Sequence, residues 1–249
     1  MNPIHSLCLA LLLFFPPEAL AADCIVLLHG LARTAASLDK IDAALSREGY
    51  QVANIDYDSR QATIESLALA AVEPGLAQCE AQSAERVSFV THSMGGILLR
   101  YYLEQQEIGN LHRVVMLAPP NQGSKVVDVF RHVPGYRWLN GPAGLQLGTG
   151  EDSVPLALGP VSFELGVIAG NRTINFILSQ FLENPDDGKV SVASARVAGM
   201  CAHIEVAATH ALMMRNDEVI DQVIRFLDSG SFFGENAENG LCTADGRAV

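Results

Sequence analysis

The chain has 249 residues, of which 49% are hydrophobic and 18% are charged. A chain this apolar can bury enough surface to offset its conformational entropy, which excludes intrinsic disorder. Its five cysteines are too few for a disulfide-rich miniprotein. The formal net charge of −12 gives no basic footprint, so we expect no nucleic acid among its partners. No apolar run reaches the roughly 18 residues that span a membrane as a helix.

The first residues have the features of a secretory signal peptide. Residues 7–15 are apolar, two prolines end the run, and Ala19-Leu20-Ala21 is a small-x-small cleavage pattern. A buried N-terminal helix is the alternative, but adjacent prolines are unfavourable inside one. We therefore predict a signal peptide over residues 1–22, with cleavage after Ala21 or Ala22. The protein would then be exported, periplasmic or secreted, with a single domain over residues 23–249.

Four cysteines remain once the signal peptide and its Cys8 are removed. An even number of cysteines in an exported chain is typical of disulfides. Cys24 begins one predicted strand and Cys79 lies shortly before another, which places both at the lower edge of a parallel sheet. We favour two pairs, Cys24 with Cys79 and Cys201 with Cys242. Four free buried thiols are the alternative.

Strand and helix patterns alternate along the chain. Short apolar runs typical of buried strands lie at residues 24–29, 50–57, 86–91, 112–118, 163–169 and 203–208. Helical spacing of apolar residues marks residues 37–47, 64–76 with a break near Pro74, 95–105 and 218–227. This alternation predicts an α/β fold with a mostly parallel sheet of about six strands and helices on both faces. Ligand sites of such sheets lie beyond the carboxyl ends of the strands.

One segment interrupts this alternation. Residues 119–160 contain six prolines and the single tryptophan, Trp138, and are too long for an ordinary connection. We interpret about residues 120–160 as a cap or lid insertion rather than a separate domain. Within it, residues 154–158 are a candidate lid or ordinary core. The tail from Ser229 onward is polar, and we expect it to carry no further strand.

A serine lies where a predicted strand passes directly into a predicted helix. The motif reads Val90-Thr91-His92-Ser93-Met94-Gly95-Gly96. A serine at such a turn exposes its hydroxyl at the helix N-terminus, where backbone N–H groups favour negative charge. Small flanking residues let strand and helix approach closely. A serine that merely caps the helix is the alternative.

The sequence resembles the α/β-hydrolase superfamily and, within it, the bacterial secreted lipase and esterase branch. The resemblance rests on four motifs in order: His29-Gly30-Leu31, Thr91-His92-Ser93-Met94-Gly95-Gly96, Asp187-Gly188 and His210. It implies the α/β-hydrolase fold over roughly residues 24–227. Thr91 departs from the commoner glycine at that position, which bears only on how tight the turn is.

A serine hydroxyl needs a base and an acid to become a nucleophile. Among the histidines, His210 follows a predicted strand end and is last in chain order, where the superfamily places its base. A helix-cap or core histidine is the alternative reading of it. The resemblance makes Asp187 the acid, with Asp186 as the runner-up. Glu183 and Asp152 are weaker candidates.

The resemblance also implies an oxyanion hole. One backbone N–H comes from Met94, after the nucleophile, and the other from Leu31, after the first strand. The side chains of both would line an apolar acyl pocket. We place His29, Gly30 and His92 with the substrate-binding residues, and we expect the side chain of His92 to project away from that of Ser93.

These features predict a serine carboxylic ester hydrolase, an esterase or lipase acting through an acyl-enzyme on Ser93. A thioesterase, amidase or acyltransferase would use the same triad, and a non-catalytic lipid-binding protein would keep only the scaffold. We expect no cofactor and no metal, because no Cys or His pair has zinc spacing. The expected partners are a small-molecule or lipid ester and, transiently, a lipid surface.

Overall fold

The computed structural model describes residues 23–240. The predicted signal peptide and Cys242 lie outside the described residues. Within this range the chain forms seven strands: β1 (Cys24–Leu28), β2 (Gln51–Ile55), β3 (Val87–His92), β4 (Leu111–Leu117), β5 (Leu165–Gly170), β6 (Ala202–Val206) and β7 (Ala237–Asn239).

The strands form one sheet in the order β2-β1-β3-β4-β5-β6-β7. The pairs from β2 to β6 are parallel, and only β7 runs antiparallel, against β6. The six strands that the sequence predicts are all present, so the predicted α/β class and mostly parallel sheet are confirmed. Because β1, β3 and β4 are central, their carboxyl ends bring the loops that follow them together at one edge.

Both faces of the sheet are covered, as continuous apolar strands require. Side chains alternate along β1: Val26 and Leu28 enter a core shared with α2 and α3, whereas Ile25 and Leu27 enter a second core shared with α1 and α9. The described helices are α1 (Asp39–Arg47), α2 (Ile64–Ala81), α3 (Met94–Gln105), α4 (Lys125–Phe130), α5 (Tyr136–Leu145), α6 (Val154–Ala157), α7 (Phe176–Ser179), α8 (Val192–Ala195) and α9 (Asp217–Ser229).

The predicted break near Pro74 is wrong, because α2 continues through it. Pro74 lies on the exposed side of the helix, and so does Ala70, whose carbonyl loses its usual i+4 donor. On the opposite side, Gly75 brings the helix against the sheet: a Cβ there would lie 2.4 Å from a methyl group of Val26. Packing against the sheet therefore overrides the local preference of proline.

The expectation of no strand in the C-terminal tail is also wrong. After α9 the chain turns back at Gly230, which has a left-handed backbone, and adds β7 to the edge of the sheet. Phe232 anchors this return by packing on Phe226, with ring centroids 5.0 Å apart. Gln222 accepts a 2.9 Å hydrogen bond from the backbone N–H of Phe233. The polar composition gave no signal for this strand, because Phe232 is the main apolar anchor and hydrogen bonds to Gln222 and Asn239 hold the rest.

The structure joins Cys24 to Cys79 by a disulfide that closes a separation of 55 residues. This is the first pair that the sequence favours. The second pair includes Cys242 and stays a prediction.

Among residues 23–240, no helix combines the length and apolar character needed to cross a bilayer.

One buried histidine makes the fold sensitive to acid. His203 on β6 has no exposed surface, and its Nδ1 atom accepts a 3.1 Å hydrogen bond from the guanidinium of Arg196. Burial lowers the pKa of His203 to about 4, and the cation of Arg196 adds to this, while Glu238 opposes it. His203 is therefore neutral in the fold at pH values where it is charged in the unfolded chain.

We predict that stability falls between about pH 6.5 and pH 4, because the unfolded chain gains a proton at position 203 that the fold does not bind. From pH 7 to pH 5 this residue alone should remove about 2 kcal/mol. Urea unfolding at several pH values measures the loss. The variant His203→Gln should lose correspondingly less, whereas His132→Gln, at an exposed position, should match the wild type. Equal losses for all three proteins would contradict the assignment.

Candidate active site

Ser93 lies at a strained turn between β3 and α3. Its backbone has φ 54° and ψ −122°, a region that residues other than glycine rarely occupy. The strand must pass into the helix at this single residue, so the side chain of Ser93 stands out at the carboxyl edge of the sheet. Gly95 makes the close approach possible, because a Cβ there would lie 2.5 Å from the carbonyl oxygen of Leu28.

Thr91, the departure from the common motif, is accommodated by a glycine. A Cβ at Gly96 would lie 3.1 Å from the Thr91 Oγ1 atom and 3.0 Å from the Met116 sulfur. The side chain of Thr91 is fully buried. The absence of a side chain at position 96 thus leaves space for the larger one at position 91, and the turn keeps its geometry.

The structure brings Ser93, His210 and Asp187 into one hydrogen-bonded chain. The Ser93 hydroxyl donates to His210 Nε2 at 3.0 Å, and His210 Nδ1 donates to Asp187 Oδ2 at 2.7 Å. All three side chains are buried, with at most 9% of each residue exposed. The backbone N–H of His210 also donates to the Asp187 carbonyl at 3.0 Å. The histidine is therefore fixed in one tautomer with Nε2 free to accept the serine proton.

The two adjacent aspartates do different things. Asp187 Oδ1 accepts backbone N–H groups of Lys189 and Val190 at 2.9 and 2.8 Å, which leaves Oδ2 for His210. Asp186 points elsewhere: it accepts the Ser179 hydroxyl at 2.5 Å and the Gly188 N–H at 2.7 Å. Asp187 is thus the carboxylate that contacts the imidazole, and Asp186 holds the shape of the loop.

His92 lies beside His210, in contrast to the expectation that its side chain projects away from Ser93. Its ring centroid is 4.8 Å from that of His210, and its Nε2–H donates to the His210 carbonyl at 3.1 Å. The positive φ of Ser93 turns the chain so that both side chains reach one cavity. Burial lowers the pKa of His92 well below its usual range, and His210 lowers it further. A neutral His92 adds no positive charge beside the imidazole.

Met94 and Leu31 carry the two N–H groups that the sequence proposes as oxyanion donors. Met94 is the first residue of α3, so its N–H has no partner within the helix. Leu31 follows Gly30 in the loop after β1, and its N–H has no backbone partner among the described residues. Position 30 needs glycine, because a Cβ there would lie 2.8 Å from His92 Nδ1.

Two side chains near this hole differ from their predicted positions. The Met94 side chain is fully buried in the core with α2 and does not line the acyl pocket, because the first turn of α3 faces the sheet. His29 is buried behind the loop rather than lining the cavity. Its Nδ1 donates to the Gly30 carbonyl at 2.9 Å, and its ring stacks on Tyr57 with centroids 4.0 Å apart. His29 therefore shapes the loop from which the Leu31 N–H projects.

A cavity of about 270 Å³ opens at Ser93. Helices α4 and α5 of the insertion form much of its apolar wall, and α7 adds Leu178. The sequence motifs do not identify these residues, because an insertion carries no strand-end signal; only its apolar composition points to them. The apolar lining is Leu31, Pro120, Val126, Val127, Phe130, Tyr136, Leu139, Leu147, Leu178 and Val190, and the polar lining is Arg33, His92, Ser93, Ser124, Asn140, Lys189 and His210.

The candidate lid segment is not part of this cavity. Residues 154–158 form α6 and the residue that follows it, and none of them lines the wall near Ser93. Exposed apolar side chains lie instead on α5 and around α7. Trp138 is 85% exposed and Phe176 is 73% exposed. Phe130, the last residue of α4, contacts Phe181, shortly after α7, edge to face with ring centroids 5.7 Å apart.

No metal ligand set accompanies the site. Among residues 23–240, no group of three or more His, Cys, Asp or Glu side chains is placed to hold a metal ion.

A known protein family resembles the first part of the chain. The family model described as palmitoyl protein thioesterase matches residues 24–147, just under half of the chain. The match spans β1, the Ser93 turn and the first part of the insertion. Among curated protein sequences, no match reaches significance.

Solved structures share the fold at low sequence identity. The mature lipase BlEst2 of Bacillus licheniformis is 19% identical, with a TM-score of 0.66 over 83% of this chain and 92% of that chain. Lipase B of Aspergillus fumigatus is 15% identical, with a TM-score of 0.59 over 88% of this chain and 53% of that chain. Phospholipase PlaB of Legionella pneumophila is 21% identical, with a TM-score of 0.54 over 70% and 44%. At these identities the likeness shows the fold.

The strained turn predicts an unusual response to glycine. Relief of the positive φ at position 93 is worth about 1–3 kcal/mol, and the added freedom of unfolded glycine costs about 0.5–1 kcal/mol. We expect Ser93→Gly to be about 1 kcal/mol more stable than Ser93→Ala in urea unfolding. In the matched pair at Ser88, in the extended part of β3, alanine should be the more stable variant. The same order at both positions would contradict strain at Ser93.

Proposed function

We propose that this chain is an α/β-hydrolase that cleaves carboxylic esters through an acyl-enzyme on Ser93. The observation that carries the proposal is the hydrogen-bonded chain from the Ser93 hydroxyl through His210 to Asp187, with distances of 3.0 and 2.7 Å. This arrangement performs nucleophilic acyl transfer in unrelated folds, so its geometry is a stronger argument than the fold.

The first half of the reaction forms the acyl-enzyme. His210 Nε2 takes the proton as Ser93 Oγ bonds to the ester carbon, and the Asp187 carboxylate stabilises the resulting imidazolium. The N–H groups of Leu31 and Met94 stabilise the oxyanion, each contributing roughly 3 kcal/mol. The ester C–O bond then breaks, and His210 returns its proton to the leaving alkoxide.

The second half reverses these roles with water. His210 takes a proton from water, whose oxygen bonds to the acyl carbon, and the same two N–H groups stabilise the second oxyanion. The bond to Ser93 Oγ breaks, and His210 protonates the serine oxygen. Acid and serine are released, and the site returns to its starting state without a cofactor.

The apolar wall supports an apolar acyl group as the substrate half bound in the cavity. Side chains from α4, α5 and α7 surround the space beside Ser93, and burial of each methylene there contributes about 0.8 kcal/mol. The exposed aromatic and aliphatic side chains of α5 and α7 support lipid esters, presented at a lipid surface. The disulfide between Cys24 and Cys79 supports export to an oxidising compartment.

A thioesterase is the second candidate, favoured by the family model that matches residues 24–147. The same serine, imidazole and N–H groups act on thioesters, whose thiolate needs less help from an acid because it is the better leaving group. Comparing an oxygen ester with the matching thioester, both with the same acyl chain, separates the two candidates. Dependence on a protonated His210 should be weaker for the thioester.

We predict that Ser93→Ala abolishes hydrolysis of p-nitrophenyl esters graded in length from acetate to palmitate. The wild type should show a maximum at a chain length that fills the apolar cavity. Labelling with a fluorophosphonate should occur in the wild type and disappear in Ser93→Ala. Equal hydrolysis by both proteins would refute Ser93 as the nucleophile.

The adjacent residue Asp186 provides the control for the proposed role of Asp187. Asp187→Asn should lower kcat about 1,000- to 10,000-fold, because the imidazole loses both its tautomer and its counter-charge. Asp186→Asn removes an equal charge one residue away but leaves His210 with its partner, so we expect less than a tenfold loss. Similar losses in the two variants would indicate a general effect of the loop rather than a specific acid.

A further inference from the structure

Two cations line the cavity at Ser93, and none of the described residues that line it is acidic. The cations are Arg33 and Lys189. The whole chain carries 28 acidic and only 16 basic residues, so this wall has the opposite charge balance from the protein as a whole. Clefts lined by one sign of charge concentrate ligands of the other sign.

Neither cation is paired with a carboxylate of the described residues: among residues 23–240, Arg33 and Lys189 form no ion pair. Arg33 makes one long hydrogen bond, 3.5 Å, to the Ala211 carbonyl. Desolvation by the surrounding protein lowers the pKa of Lys189, the charge of Arg33 lowers this pKa further, and the carboxylate of Asp187 raises it. An anion bound between the two cations would relieve their repulsion.

Both cations belong to segments that contact the segment around His210 or its partner Asp187. Arg33 contacts Ala211, the residue that follows the histidine. Lys189 follows the Asp187-Gly188 turn, and its backbone N–H holds Asp187 Oδ1 at 2.9 Å. In the proposed reaction His210 gives its proton to the leaving oxygen, so the alcohol half of the ester must lie next to His210. The acyl half then occupies the apolar wall formed by α4, α5 and α7.

We propose that the alcohol half of the substrate carries an anionic group, a phosphate or a carboxylate, and that Arg33 and Lys189 bind it. The substrate class is thus an amphiphilic ester with an apolar acyl chain and a negatively charged leaving group. This inference rests on the proposed function and names the substrate class of the same site. Arg33 and Lys189 act in specificity, because they contact the part of the substrate that leaves.

Matched substrates test the charge alone. One pair is the octanoate ester of a nitrophenol and the same ester with a ring carboxylate. A second pair is a monoacylglycerol and its phosphate monoester with the same acyl chain, both kept below their critical micelle concentrations. For each pair the measured quantity is the ratio of kcat/KM for the anionic ester to kcat/KM for the neutral ester. The wild type should favour the anionic ester about tenfold at low salt.

Removal of the cations should remove the preference. In the double variant Arg33→Gln/Lys189→Gln the ratio should fall about tenfold. The single variant Arg33→Lys, which keeps Lys189 and the charge at position 33, should retain part of the wild-type ratio. The control Arg47→Gln/Arg225→Gln removes the same net charge from exposed positions on α1 and α9 and should keep the wild-type ratio. Raising NaCl from about 20 to about 500 mM should lower the wild-type ratio.

The outcomes separate the two proposals. A preference for either anionic pair that needs Arg33 and Lys189 supports the inference and identifies the anion. A ratio near one for both pairs, or a preference that the double variant keeps, overturns it while leaving Ser93-dependent hydrolysis intact. Hydrolysis that persists in Ser93→Ala would instead overturn the proposed function itself.

Discussion

The passage of the central strand β3 into α3 within one residue is the constraint from which the site follows. A left-handed backbone at Ser93 is unfavourable by itself, and the packing around it maintains it. The glycines at 95 and 96 allow the helix to lie against β1 and β4 without a clash. Because the strand is hydrogen-bonded on both sides, the turn cannot relax by moving the strand. Ser93 is therefore held in place before any substrate binds.

The polar and apolar halves of the cavity have different origins in the fold. Most of the polar lining comes from residues at or just after the ends of β1, β3 and β6 and from the loop that carries Asp187, while the insertion adds Ser124 and Asn140. Most of the apolar lining comes from the short helices of the insertion and from α7, which contact the sheet less. A site divided in this way keeps Ser93, His210 and Asp187 fixed, while the shape of the apolar wall depends on segments that tolerate change.

The sequence predicts the polar half well and the apolar half poorly, for a physical reason. Strand ends have strong local signals, so the positions of Ser93 and His210 follow from apolar runs and a turn motif. The motif resemblance favours Asp187 over Asp186, and in the structure the path of the loop brings the Asp187 carboxylate to the imidazole while Asp186 accepts the Gly188 N–H. Pro74 inside α2 and the strand β7 went against local composition, because tertiary packing outweighs it. Arg33 and Lys189 belong to no motif, and only the cavity reveals that they face the same space.

The disulfide at Cys24 also constrains the opposite end of β1. This strand is five residues long, is paired with neighbours on both sides, and is tied to the end of α2 at its first residue. Strand pairing fixes β1 on both sides and the disulfide fixes its first residue, so the strand cannot shift along its own direction. Any movement of the Leu31 N–H, a candidate oxyanion donor, must therefore arise in the loop that follows β1. Stacking of His29 on Tyr57 limits that movement. The disulfide between Cys24 and Cys79 at the lower edge of the sheet thus helps to fix the position of the Leu31 N–H beyond the upper edge.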